Sequence, residues 1–278
     1  MNPTQIFQYR LSTPSSRVYP GAHIGRRVSS GHLFKQHEPL LAHPDPRRID
    51  LRASVLDVFG QYRVRAYQQH SLIDVLLLAD LSASMNQNKT LLLDCLDAIA
   101  ESAFSYGDRF SFIGCGSEAM PRYQLKHCQQ AGALRSFSLQ LQAARFTPQN
   151  PHWQSALPYL PNRPSLIFLL SDFYFDLASL APILPQLRQH DVIPLVVWQT
   201  GDYENLPEWG LVNFQDSESR NTRTMFMRPA LRRKIVQNFQ KRRQHLQSFF
   251  RGYGCEPLFL QDDFNAAQLQ AYFSQRAA

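Results

Sequence analysis

Ile73-Asp74-Val75-Leu76-Leu77-Leu78-Ala79-Asp80-Leu81-Ser82-Ala83-Ser84-Met85 is the stretch that decides the architecture. A short apolar run of this kind fits a strand buried on both faces of a parallel sheet, and it stops at a carboxylate. After a polar turn, Lys89 to Phe104 places Leu92, Leu93, Leu96, Ile99, Ala100 and Phe104 at helical spacing, and Tyr106-Gly107-Asp108 closes the helix. The unit is strand, loop, helix.

Working outward, the pattern recurs. Strands are expected at Arg109 to Cys115, Ser165 to Leu170, Val192 to Trp198 and Pro257 to Leu260. Helices are expected at Ala131 to Ala144, Trp153 to Leu160, Leu177 to Gln189 and Asn265 to Arg276, together with a long one from Pro229 to Gly252. Within the polar stretch 201–227, Leu211 to Phe214 and Thr222 to Phe226 flank a turn and read as a hairpin. Alternating strands and helices imply a doubly wound α/β fold, with a mainly parallel sheet, helices on both faces and ligands beyond the strands' carboxyl ends. Residues 1–70 show no sustained period and read as an irregular extension with two strands, packed on a main domain of residues 71–278.

The chain has 278 residues and 44% hydrophobic content, enough for a sizeable core. It shows neither an apolar run of membrane-helix length nor an export signal, so a soluble cytoplasmic chain is expected. Cys95, Cys115, Cys128 and Cys255 lie far apart without a Cys-x-x-Cys pair, which argues for reduced thiols rather than a zinc ribbon. The formal charge of +7 is uneven: residues 220–251 hold ten Lys/Arg and no Asp/Glu. Such a cluster sets up a local field for an acidic protein, a nucleic acid or an anionic lipid.

Asp80, Ser82 and Ser84 place a carboxylate and two hydroxyls on alternate residues as the chain leaves its strand, a hard-oxygen set that suits Mg2+, with Mn2+ or Ca2+ also compatible. A second apolar strand, Ser165 to Ser171, ends in Asp172, which the fold would bring to the same sheet edge. The plainer alternative is that both serines cap the following helix and Asp80 tightens the turn.

A strand ending in Asp-x-Ser-x-Ser-Met, then a helix, then a strand ending in Ser-Asp resembles a von Willebrand factor A domain with its metal-ion-dependent adhesion site. The flanking segments Asp45-Pro46-Arg47-Arg48-Ile49-Asp50, Gly107-Asp108-Arg109, Arg188 to Leu195 and Leu206-Pro207-Glu208-Trp209-Gly210 narrow the likeness. Together they resemble the bacterial "domain of unknown function 58" family, a group that accompanies MoxR-type AAA+ ATPases and includes the MxaS proteins; the likeness spans about residues 20–276.

The resemblance implies a metal held by Asp80, Ser82, Ser84 and Asp172 and completed by an acidic side chain of a partner. It also implies a threonine ligand from a Gly-Thr loop, but this chain has Pro148-Gln149-Asn150-Pro151-His152 there. Thr147 is the nearest candidate: it reaches the site through a rearranged loop, or that ligand is missing. Asp50-Leu51 replaces the family's Asp-Trp.

No P-loop, nucleophile elbow or His-x-x-x-His pair is present, and Ser82 stands where a dehalogenase-type phosphotransferase needs a second carboxylate. The expectation is a non-enzymatic, metal-dependent binding protein acting with a MoxR-type ATPase on a client. Arg232, Arg233, Lys241 and Arg242 are candidate partner contacts. The rivals are nucleic-acid binding through the basic 228–251 helix and a metal-free scaffold.

Overall fold

The computed structural model describes residues 6–11, 20–29, 33–42, 44–116, 123–146, 151–203, 206–215 and 222–276. Its centre is a six-stranded sheet built from β4 (Asp74–Asp80), β5 (Arg109–Cys115), β6 (Gln124–Cys128), β7 (Leu166–Ser171), β8 (Asp191–Trp198) and β11 (Leu258–Gln261). The order is β11-β8-β7-β4-β5-β6, with β6 alone antiparallel to its neighbour. The fold is α/β. Every residue of β4, β7 and β8 is buried, because both sheet faces are covered.

Alternation along β4 divides the core. Val75, Leu77 and Ala79 face a layer formed by α2 (Lys89–Ser105), α3 (Ala131–Ala143) and α5 (Ala266–Arg276). Leu76 and Leu78 face a layer formed by Trp153, the 177–187 segment and α4 (Pro229–Arg251). A hairpin of β9 (Gly210–Gln215) and β10 (Thr222–Met227) precedes α4.

One expected helix is corrected. Leu177 to Gln189 is not one helix but two short 3-10 segments, Leu177–Ser179 and Leu184–Leu187. Pro182 and Pro185 lack the amide donors that a continuous helix needs, and their rings crowd the preceding turn. The short helix expected at Trp153 to Leu160 is present as a 3-10 helix, Trp153–Tyr159, with Pro158 inside it.

Among the described residues of the first 71 there are three strands, not two: β1 (Pro20–Ser29), β2 (Leu33–Pro39) and β3 (Arg63–Ser71), in the antiparallel order β1-β3-β2. Between β2 and β3, Asp45 caps a 3-10 turn at Pro46–Arg48, and Asp50 caps the short α1 (Leu51–Val55) by accepting from Ala53 N at 3.1 Å. Asp50 also accepts from Arg65 Nε at 2.7 Å, and these bonds hold its carboxyl far below the usual range. Asp45 and Asp50 of the Asp-Pro-Arg-Arg-Ile-Asp stretch are therefore structural caps.

Residues 6–11 return to the main core. Phe7 stacks on Phe273 and meets Phe168 edge-on. The Tyr9 hydroxyl donates to Asp108 Oδ2 at 2.5 Å, and Asp108 Oδ1 accepts from Ile73 N at 2.9 Å. Asp108 thus fastens both the N-terminal segment and the entrance to β4, and Arg109 pairs with Asp74 at 3.2 Å. Truncating a ring in this position removes buried area and leaves a cavity. Phe7→Ala is expected to destabilise the chain by about 3–5 kcal/mol in urea unfolding, whereas a segment lying loosely on the surface would leave the midpoint unchanged.

Candidate metal centre

β4 and β7 run parallel with Ala79 opposite Leu170, so Asp80 and Ser171 leave the sheet side by side, with Asp172 next. Ser171 Oγ donates to Asp80 Oδ2 at 2.6 Å, and Ser82 N donates to Asp80 Oδ1 at 2.8 Å. Ser82 and Ser84 place their hydroxyl oxygens 3.0 Å apart. Ser82 occupies the cap position of the following 3-10 turn, Ala83–Asn86, but makes no side-chain cap hydrogen bond. The capping alternative therefore does not account for its hydroxyl.

Gly114, on β5, lets Leu81 pass between these groups: a Cβ there would lie 2.2 Å from Leu81 Cδ1. Cys115 sits opposite Asp80 in register, and burial with the neighbouring carboxylate pushes its thiol pKa up, which leaves it an inert core residue.

The loop after Asp172 is held under strain. Phe173 has φ 52°, a region that a bulky side chain rarely occupies and that costs about 1–3 kcal/mol. Several bonds fix it there. Phe173 N donates to Ser171 Oγ at 2.9 Å, Tyr174 N to Asp172 Oδ1 at 3.1 Å, and the Trp198 indole N–H to Asp172 O at 2.9 Å. Arg242 completes the set by donating to Phe173 O at 2.6 Å and Phe175 O at 2.7 Å.

Asp80 and Asp172 are both almost inaccessible to solvent. Burial, and then the Asp172 charge, push Asp80 up to about 7, against the opposing hydrogen bonds from Ser171 and Ser82. A buried carboxylate whose proton affinity is raised by burial and by a second buried carboxylate beside it, with two hydroxyls nearby, suits a hard divalent cation. Among the described residues, no group of three or more His, Cys, Asp or Glu side chains gathers to hold a metal. The donor set is thus two carboxylates with hydroxyls, an oxygen set that fits Mg2+ better than a thiophilic ion.

Asp80, Ser82, Ser84 and Asp172 thus come together at one sheet edge. Thr147 lies outside the described residues. Its neighbour Phe146 is anchored two residues past Ser84, where Asn86 Oδ1 accepts from Phe146 N and Asn86 Nδ2 donates to Phe146 O, both at 3.2 Å. Ser171 was not among the residues expected from sequence, although a serine directly before the strand-end aspartate was its signal.

The four candidate partner contacts on α4 do not share one surface. Arg232 pairs with Glu208 at 3.2 Å, Arg233 and Lys241 are exposed, and Arg242 is half-buried against the Phe173 loop. The spacing of Ile235, Phe239, Arg242, Leu246 and Phe250 already puts Arg242 on the apolar stripe.

Because Asp80 titrates near 7 in the fold against an ordinary 3.8, the folded chain keeps a proton across that window that the unfolded chain has lost. Without a cation, stability falls as pH rises through it. Above that range in metal-free buffer, Asp80→Asn is expected to melt a few degrees higher than wild type, as about 1–2 kcal/mol does in a chain of this size. Added Mg2+ is expected to raise the wild-type melting temperature and not that of the variant. Equal Mg2+ shifts in the two proteins would exclude Asp80 as a ligand.

A family model described as "Protein of unknown function DUF58" matches residues 45–245. No curated protein matches. Solved structures similar to this chain include the conserved hypothetical protein BatB from Bacteroides thetaiotaomicron, at 12% identity, covering 74% of this chain and 98% of that one, with a TM-score of 0.37. A von Willebrand factor type A protein from Catenulispora acidiphila is similar at 13% identity, with coverages of 76% and 43% and a TM-score of 0.38. The pilus adhesin SpaC from Lactobacillus rhamnosus GG is similar at 15% identity, with coverages of 74% and 30% and a TM-score of 0.38. The family match extends over most of the chain, and the protein belongs to the DUF58 family.

Proposed function

We propose that this protein is a non-enzymatic binding accessory whose Asp80, Ser82, Ser84 and Asp172 hold a divalent cation, with Mg2+ the first choice. A carboxylate of a partner protein completes the coordination. The observation that carries the reading is the buried Asp80 and Asp172 pair, beside Ser82 and Ser84 hydroxyls that meet each other. Ser84 is half-exposed, which leaves an approach from solvent. The cation supplies positive charge that relieves the two carboxylates and attracts a third.

A non-catalytic role fits the chemistry at hand: Cys115, the thiol nearest the site, has its pKa raised, and no P-loop accompanies the carboxylates. The family resemblance makes a MoxR-type AAA+ ATPase, or the client it remodels, the favoured partner. Nucleic-acid binding through α4 is disfavoured, since Arg232 is paired with Glu208 and Arg242 is turned inward. Among the described residues no helix is long and apolar enough to cross a membrane.

The test is capture of a purified MoxR-type AAA+ ATPase on immobilised wild type and Asp80→Ala, in Mg2+ and in chelator. Retention by wild type in Mg2+ alone is expected, with at least about a tenfold loss in the other three arms. Equal retention in every arm would refute a metal-bridged contact.

A further inference from the structure

A cleft of about 480 Å³ lies at the other end of the sheet, lined by the first residues of β4 and β5, the end of β6 and the 158–163 segment. Asp74 and Asp80 are six residues apart, roughly 20 Å along a strand at about 3.3 Å per residue, so the cleft is separate from the metal centre. Its volume falls within the range of small-molecule sites.

The cleft is built around a distortion. Phe110 pairs with Cys128 and Phe112 with Leu125, so Lys126 and His127 together oppose the single residue Ser111. This is a β-bulge, and His127 in it has φ 47°. Ser111 Oγ holds the bulge by accepting from His127 N at 3.0 Å. A strained bulge beside a cavity re-aims side chains, and here it sets Lys126 Nζ 4.7 Å from the centre of the Tyr159 ring across the mouth. Pro158 and Pro161 stiffen the facing wall, which preorganises the cleft.

The lining has a definite sign. Arg109, Lys126 and Arg163 face one carboxylate, Asp74, and that carboxylate is paired with Arg109 at 3.2 Å. Among the described residues neither Lys126 nor Arg163 meets a carboxylate. Leu76, Ile113, Leu125 and Leu160 supply apolar lining between these charges.

We infer that this cleft binds a small molecule that joins an anionic group, carboxylate or phosphate, to an apolar body. The anion sits between Lys126 and Arg163, and the body lies against the partly exposed Leu125 and Leu160.

Calorimetric titration of the full chain with benzoate, phenyl phosphate and benzyl alcohol tests this. Binding of one or both anions is expected, at least about tenfold tighter than that of the neutral alcohol, and the tighter anion identifies the ligand group. Lys126→Glu combined with Arg163→Glu is expected to weaken anion binding by about tenfold or more, with an unchanged melting temperature because both side chains are exposed. Asp80→Asn is expected to bind the anions as wild type does. Absence of anion binding, equal affinity for the alcohol, or wild-type affinity in the Lys126/Arg163 double variant would overturn the proposal.

Discussion

Two carboxylates buried at the ends of adjacent parallel strands are the constraint on which the rest of this structure turns. β4 and β7 are covered on both faces, so Asp80 and Asp172 emerge into an environment that cannot hydrate them. Removing a carboxylate from water is expensive, and placing a second beside it is more so. The fold responds with donors aimed at Asp80 from Ser171 and Ser82, and even with these its affinity for a proton remains raised. A group in that state takes up either a proton or a cation.

The surroundings are organised to keep the pair in place. Phe173 is held in a conformation its side chain disfavours by the Ser171 hydroxyl and by Arg242, while the Trp198 indole grips the carbonyl of Asp172. Phe239 meets Trp198 edge-on at 5.5 Å and stacks on Tyr203 at 4.5 Å, joining α4 to the same frame. Gly114 gives Leu81 the room it needs between Asp80 and Ser82. Strain balanced by this many partners is characteristic of sites whose geometry must be ready before a ligand arrives.

Much of this was legible in the amino-acid order. The apolar runs of β4, β7 and β8 fit strands buried on both faces, and the rule that ligands gather at carboxyl ends paired Asp80 with Asp172 across ninety-odd residues. What escaped had physical reasons. β6 is half-exposed and bulged, so it lacks the alternation that marks a strand. The 177–189 segment has helical periodicity, yet its two prolines override that pattern locally. The docking of Phe7 and Tyr9 depends on partners such as Phe168, Phe273 and Asp108, far along the chain, which no local pattern encodes. Arg242 was named as a partner contact from its charge, whereas its place on the apolar stripe is the signal for its bonds to the Phe173 loop.

The most direct test of the carboxylate pair as a cation site is calorimetric titration of Mn2+ in buffers of differing ionisation enthalpy. With Asp80 titrating near 7, binding about one pH unit below that value must expel its proton, and binding about one unit above it has little proton left to expel. The account predicts one Mn2+ per chain, with proton release at the lower pH that fades at the higher and disappears in Asp80→Asn. Binding whose heat is independent of the buffer at both pH values, or that is as tight in Asp80→Asn as in wild type, would contradict it.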